Sequence, residues 1–191
     1  MNNYQYSTGS STKIRLNPRN PRSTFAEFMN LRFAGVNDIN TICTLAETIW
    51  PATYEKLLAK DQVNYMMNWI YSPASLEEQM VEKKHQFLIL EADDRPIGFA
   101  SYSTTPEPHV FKLHKIYVLP DQQGKGLGKY IIDFITEKIR TLGANALQLN
   151  VKRDNNARFF YEKLGFYIVE EVDIDIGNNY FMRDYIMEKK V

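Results

Sequence analysis

The stretch that most constrains this chain runs from Lys112 to Lys129, Lys-Leu-His-Lys-Ile-Tyr-Val-Leu-Pro-Asp-Gln-Gln-Gly-Lys-Gly-Leu-Gly-Lys. An apolar strand enters a turn, passes three alternate glycines (Gly124, Gly126, Gly128) and leads into a segment with Leu127, Ile131, Phe134, Ile135, Ile139 and Leu142 at helical spacing, stopped by Gly143. Leu147, Leu149 and Val151 then alternate as a strand. A glycine can take φ > 0 and lets backbone approach a ligand closely. The first turn of a helix has unpaired N–H groups and partial positive charge. Glycines at the mouth of a helix therefore form a socket for phosphate oxygens. Lys125 and Lys129 add positive charge, and no acid lies between Gln122 and Lys129.

The spacing excludes the two commonest phosphate loops. A Walker loop needs G-x-x-x-x-G-K-[ST], but Gly124-Lys125 is followed by Gly126, with no hydroxyl for magnesium. A dinucleotide fingerprint needs G-x-G-x-x-G, and the third place falls on Lys129 or Ile131. What remains is Gln123-x-x-Gly126-x-Gly128. It resembles the acetyl-CoA loop of the GCN5-related N-acetyltransferases, Gln/Arg-x-x-Gly-x-Gly/Ala. Downstream, Asp154-Asn-Asn-Ala-Arg-Phe-Phe-Tyr-Glu-Lys-Leu-Gly-Phe166 resembles that family's second signature, Asn-x-Ala…Phe-Tyr-Glu-Lys-x-Gly-Phe. Two segments in the right order are far more specific than either alone. Ile49-Trp-Pro-Ala-Thr-Tyr54 and Asp184-Tyr-Ile-Met-Glu-Lys189 resemble the bacterial branch of PaiA-type spermine/spermidine acetyltransferases.

The rest of the chain supplies the expected fold. With 191 residues, 44% of them hydrophobic, it can bury one substantial core. Residues 1–28 are polar, lack apolar periodicity and read as a mobile tail; 29–191 read as a single domain. That tail has no apolar h-region of a signal peptide, and Met29, opening the first expected strand, is a candidate natural start. Asn37 is expected to cap a helix that Pro51 breaks, followed by a helix over about 53–71 and a third started by Ser72-Pro73 and Ser75-x-x-Glu78. Strands are expected at 87–90, 97–102, 111–118, 147–151, 167–176 and 180–189, with a helix from about 156 to 164. This order predicts an α/β fold with a mixed, mostly antiparallel central sheet flanked by helices on both faces. It resembles the acyl-CoA N-acyltransferase fold.

The resemblance implies a reaction and its residues. It implies acetyl-CoA as cosubstrate, no metal, and direct transfer to a primary amine in a ternary complex. The N–H groups of Gln123, Gly124, Lys125, Gly126, Leu127, Gly128 and Lys129 would hold the diphosphate. The backbone of Ile116, Tyr117 and Val118 would pair with the pantetheine arm, one N–H polarising the thioester oxygen. Asn150 and Asn155 would touch that arm, although Asp154 stands where many relatives carry Asn. Tyr161 is the expected acid for the departing thiolate, while its place on the stripe Ala157, Phe160, Tyr161, Leu164 would also suit burial alone. His114 is the expected base, acting through water; a solvent-facing strand residue would look the same. Cys43 lies on an apolar helical stripe and reads as a core thiol.

The acceptor is read more coarsely. Trp50, Tyr54, Tyr65, Trp69 and Tyr71 could line an alkyl-ammonium pocket, and Glu47, Glu55, Glu77 and Glu78 could meet cationic ends. A small polyamine-like amine is the leading acceptor; a protein or peptide amine, or a CoA-binding module without catalysis, are the alternatives. Four bases against Glu27 in 1–28 leave the remainder with three more acids than bases, which argues against a nucleic-acid partner. The apolar runs are too short for a membrane helix, and the single cysteine excludes an internal disulfide. A cytoplasmic location and a homodimer complete the expectations.

Overall fold

The computed structural model describes residues 12–15 and 28–191. One eight-stranded sheet organises them, in the order β1-β2-β3-β4-β5-β6-β8-β7. The strands are β1 (Thr12–Arg15), β2 (Phe28–Ala34), β3 (Gln86–Ala92), β4 (Arg95–Thr104), β5 (Val110–Val118), β6 (Ala146–Lys152), β7 (Tyr167–Asp175) and β8 (Phe181–Lys190). Only β5 and β6 pair in parallel; the other six neighbour pairs are antiparallel. Helices α1 (Ile39–Tyr54), α2 (Lys60–Tyr71) and α3 (Pro73–Val81) cover one face, and α4 (Leu127–Thr141) and α5 (Ala157–Lys163) the other. The mixed, mostly antiparallel sheet with helices on both faces is therefore as expected.

Strand alternation sorts the core into two halves. Leu88, Leu90, Ala100, Tyr102, Leu113 and Leu149 point toward Leu127, Ile131, Ile135 and Ile139 of α4. Phe87, Ile89 and Phe99 point the other way, against Ile42, Ile49, Trp50, Met66 and Leu76 of α1 to α3.

Four expectations are corrected. Thr12–Arg15, inside the segment expected as a mobile tail, pairs antiparallel with Phe28–Leu31; the rest of 1–27 lies outside the described residues. The Asn37 cap is not used: a short 3-10 turn over Val36–Asp38 precedes α1, and Asp38 stands at the N-cap position. Pro51 does not end α1, which continues to Tyr54. Proline loses one backbone bond and its ring crowds the carbonyl one turn back, but Trp50 and Tyr54 on either side of it are held by tertiary contacts. Finally, Ser72 rather than Ser75 caps α3: its Oγ accepts from Ser75 N, with Pro73 in the first turn.

Two irregularities of β5 set the geometry around it. Ser101 pairs with Lys115 and Tyr102 with Leu113, so His114 is an extra, bulged residue. A bulge breaks alternation, and it puts His114 and Lys115 together on the α1–α3 face. Then β5 and β6 part. Their pairing covers only Val110–Leu113 with Ala146–Leu149, although β5 continues to Val118 and β6 to Lys152.

Candidate active site

Where β5 and β6 part, backbone groups lose their ladder partners. Leu119 N donates to Ile97 O (2.9 Å), and Phe99 pairs with Tyr117. By alternation the amides of Tyr117 and Leu119 face β4, and those of Ile116 and Val118 face the gap. Val118 O is met there by the side chain of Gln123, whose Nε2 donates to it at 3.2 Å. The gap thus offers an extended ligand a strand edge, with Ile116 and Val118 as its donors.

The glycine loop lies at the mouth of this gap. Gly124 has φ +76° and Gly126 φ +82°, conformations costly for any residue with a Cβ, and nothing lies within 4 Å of the place a Cβ would occupy on either. Gly126 is the N-cap residue of α4, which has no side-chain cap. Its first amides are therefore left for a ligand's oxygens. Gly128 has a different task. A Cβ there would come within 3.0 Å of Phe160 Cζ, so this glycine lets α5 pack onto the first turn of α4. Lys125 donates to Gln122 Oε1 (2.7 Å), and Lys129 is paired with Asp133 one turn on. Neither lysine lines the cavity, in contrast to Gln123, Gly124, Gly126, Leu127 and Gly128.

Loop and gap open into one cavity of about 950 Å³ that crosses the sheet and ends among α1, α2, α3 and β8. Ile116, Tyr117, Val118, Asn150, Asn155, Tyr161 and His114 all line it. Asn155 Oδ1 accepts from Ala157 N (2.9 Å) and braces the start of α5. Tyr161, on α5, sits at the joint of the cavity, edge-on to Phe166 at 5.7 Å. Burial, with Tyr54 nearby, pushes its phenol up, so it stays protonated. Opposite, Tyr54 and Tyr117 share a hydroxyl–hydroxyl bond of 3.1 Å, and Trp50 Nε1 donates to Tyr71 Oη (2.9 Å).

The acceptor end departs from the sequence-based expectation, in which His114 is the base. Its ring stacks on His85 with centroids 3.9 Å apart, and its Nε2 bonds Ser103 Oγ at 2.8 Å. Burial, then the neighbouring His85, Lys115 and Lys112, push its pKa down to about 2. Burial and the same Lys115 push His85 down to about 4. Two stacked rings beside a lysine stay neutral, and so weak a base does not hold a proton near pH 7. Of the aromatic set, Trp50, Tyr54, Trp69 and Tyr71 line the cavity; Tyr65 instead donates to Ile176 O (2.6 Å). Glu47, Glu55, Glu77 and Glu78 do not line it.

Two buried, charged lining residues were not singled out by sequence reasoning. Asp184 on β8 is 6% exposed and accepts from Asn150 Nδ2 at 3.3 Å. Its Oδ1 and the Oδ1 of Asn150 are buried with no partner among the described residues. Burial raises its pKa, against the hydrogen bond from Asn150 and the charges of Lys112 and Lys152. Lys115, 7% exposed, donates to Gln79 Oε1 and lies over the rings of Phe87 and Tyr71 at 5.4 and 5.9 Å. Burial, then Lys83, pushes it down to about 7. The only sequence signal for either was a charge on an inward strand position, visible once the bulge and the β6–β8 register are known.

Comparison with known proteins agrees with this fold. The model of the Acetyltransferase (GNAT) family matches residues 42–166. A [ribosomal protein bS18]-alanine N-acetyltransferase of Haemophilus influenzae is 30% identical over 128 residues, 67% of this chain and 81% of that one. An L-amino acid N-acyltransferase of Escherichia coli, MnaT, is 27% identical over 89 residues, 44% of this chain and 52% of that one. Among solved structures, the PaiA N-acetyltransferase of Thermoplasma acidophilum in complex with coenzyme A superposes with a TM-score of 0.72 at 26% identity, covering 85% of this chain and 99% of that one.

Proposed function

Since the chain belongs to the GNAT family and is an acetyl-CoA-dependent N-acetyltransferase, we propose that it acetylates the primary amine of a small molecule by direct transfer. The observation that carries this reading is the single cavity joining the glycine loop, the β5–β6 gap and an aromatic acceptor end. Acetyl-CoA supplies the activated thioester. In this proposal the amides of Gly124 to Gly128 hold its diphosphate, with Gln123 bracing the loop, and the Ile116 and Val118 edge holds its extended arm. Lys125 and Lys129 contribute charge from outside the cavity. Tyr117 orients Tyr54, and Asn155 offers its amide nitrogen.

The acceptor amine must become neutral. An alkyl ammonium with a pKa near 10.4 is about one part in 10³ neutral at pH 7, a deficit of roughly 4–5 kcal/mol. We assign its reception to the unpartnered oxygens of Asp184 and Asn150, in place of His114. A buried carboxylate whose pKa is raised accepts a proton more readily than an exposed one. Tyr161, kept protonated by burial, donates to the departing sulfur. His114 and His85 remain neutral wall residues. No step calls for a metal.

The alternative acceptor is a protein or peptide amine, favoured by the bS18-alanine acetyltransferase relative. The aromatic end, walled by Trp50, Tyr54 and Trp69, suits a small molecule better. A cytoplasmic setting belongs to the same proposal, as does a homodimer; no nucleic-acid partner is proposed. No helix among the described residues is long and apolar enough to cross a membrane. An amine panel of polyamines, amino acids and short peptides, read by thiol release from acetyl-CoA, tests the reading. Turnover of small amines is expected; turnover of peptides alone would transfer the proposal to protein acetylation, and silence would leave only the binding module.

A further inference from the structure

We infer that the acceptor carries a carboxylate as well as its amine, as a small amino acid does, and that Lys115 receives that carboxylate. This rests on the acceptor site proposed above. The bulge at His114 turns Lys115 into the cavity instead of the α4 core. An ammonium has three donors, and among the described residues Lys115 uses one, to Gln79 Oε1. No carboxylate pairs with it there, although buried lysines are rarely left unpaired. Its other neighbours are ring faces of Tyr71 and Phe87, which tolerate a cation but do not satisfy its N–H groups.

The site is built, not incidental. Gln79, 5% exposed, donates from Nε2 to Ile70 O (2.8 Å) and Ser75 Oγ (3.1 Å), so its Oε1 is held toward Lys115. His85 lines the same end of the cavity, and its Nδ1 is buried without a partner among the described residues. A carboxylate there would meet donors from Lys115 and from an Nδ1–H tautomer of His85.

Charge placement turns the reading away from the polyamine expected from the sequence. None of the four glutamates proposed for cationic ends reaches the cavity, and Asp184 is the one acid among its described lining residues. The cations acting on Asp184 are Lys112, Lys152 and Arg153, not Lys115. The cavity therefore has an accepting wall at Asp184 and Asn150 and a donating wall at Lys115. A polyamine would find one acid and then a lysine; a zwitterion finds a partner for each end.

The test compares common amino acids with the amines they give on decarboxylation, for example leucine with isopentylamine, and includes spermidine. Binding to the protein saturated with coenzyme A is read by calorimetry, and turnover by thiol release from acetyl-CoA. At least one amino acid should bind and react at least tenfold better than its amine, and Lys115→Met should reduce that ratio to within threefold while acetyl-CoA affinity is retained. Equal or better binding of the amines or spermidine to wild-type protein would overturn the inference, with no variant needed. So would a folded Lys115→Met protein that keeps the preference. Selective amino-acid binding without any turnover would uphold the carboxylate site and sink the acetyl-transfer step instead.

Discussion

At the scale of single residues, the role proposed for Asp184 sets activity against stability. Its folded pKa is raised, so the fold prefers the protonated carboxyl, and stability is lost as pH rises through that value. At pH 7 the ionised, half-partnered group is a net cost. Asp184→Asn offers an amide nitrogen to Asn150 Oδ1, so the variant should be more stable by about 1 kcal/mol at pH 7. The advantage should vanish below about pH 3.5, where the carboxyl is protonated in both folded and unfolded chains. Urea melts at the two pH values check this, and kcat/KM at pH 7 should fall at least 100-fold. Tyr161→Phe removes the proposed proton donor and keeps the ring against Phe166; kcat should fall at least tenfold with acetyl-CoA affinity nearly intact, as turnover and calorimetry will show. The place of Tyr161 on the cavity wall was legible because a local motif carries it. Asp184 was not, because its importance arises from register with Asn150, 34 residues away in sequence.

At the scale of elements, the glycine loop and α5 form one unit. Gly126→Asp should abolish acetyl-CoA binding in calorimetry, since it sets a charge and a strained φ at the N-cap of α4. Gly126→Ala meets no clash and should cost about 1–2 kcal/mol of strain. Gly128 is sensitive for another reason, the approach of Phe160, so the second glycine of the motif is read through packing. Helix existence and order were largely readable from apolar periodicity, whereas ends were not. Pro51 and Asn37 carried the usual stop and start signals, and both were overridden by tertiary contacts of Trp50 and Tyr54 and by the 3-10 turn before α1. The bulge in β5 left no trace in residue type, and without it His114 and Lys115 would be assigned to opposite faces.

At the scale of the whole molecule, two half-cores share one sheet, and the candidate site lies where that sheet is incomplete. A ligand filling the gap binds the folded chain alone. Coenzyme A at 100 times its Kd should therefore stabilise the protein by about 2.7 kcal/mol. For a chain of this size that is a rise in Tm of roughly 5–10 °C, and Gly126→Asp should show none of it; scanning calorimetry with and without coenzyme A checks both. The parting of β5 and β6 has one more consequence. An interior edge whose donors at Ile116 and Val118 face no strand is a template awaiting a guest, and an extended peptide segment has the same hydrogen-bonding grammar as a pantetheine arm. A bound pantetheine arm would close that edge, so a chain stripped of coenzyme A during purification should self-associate on warming more readily than the loaded one.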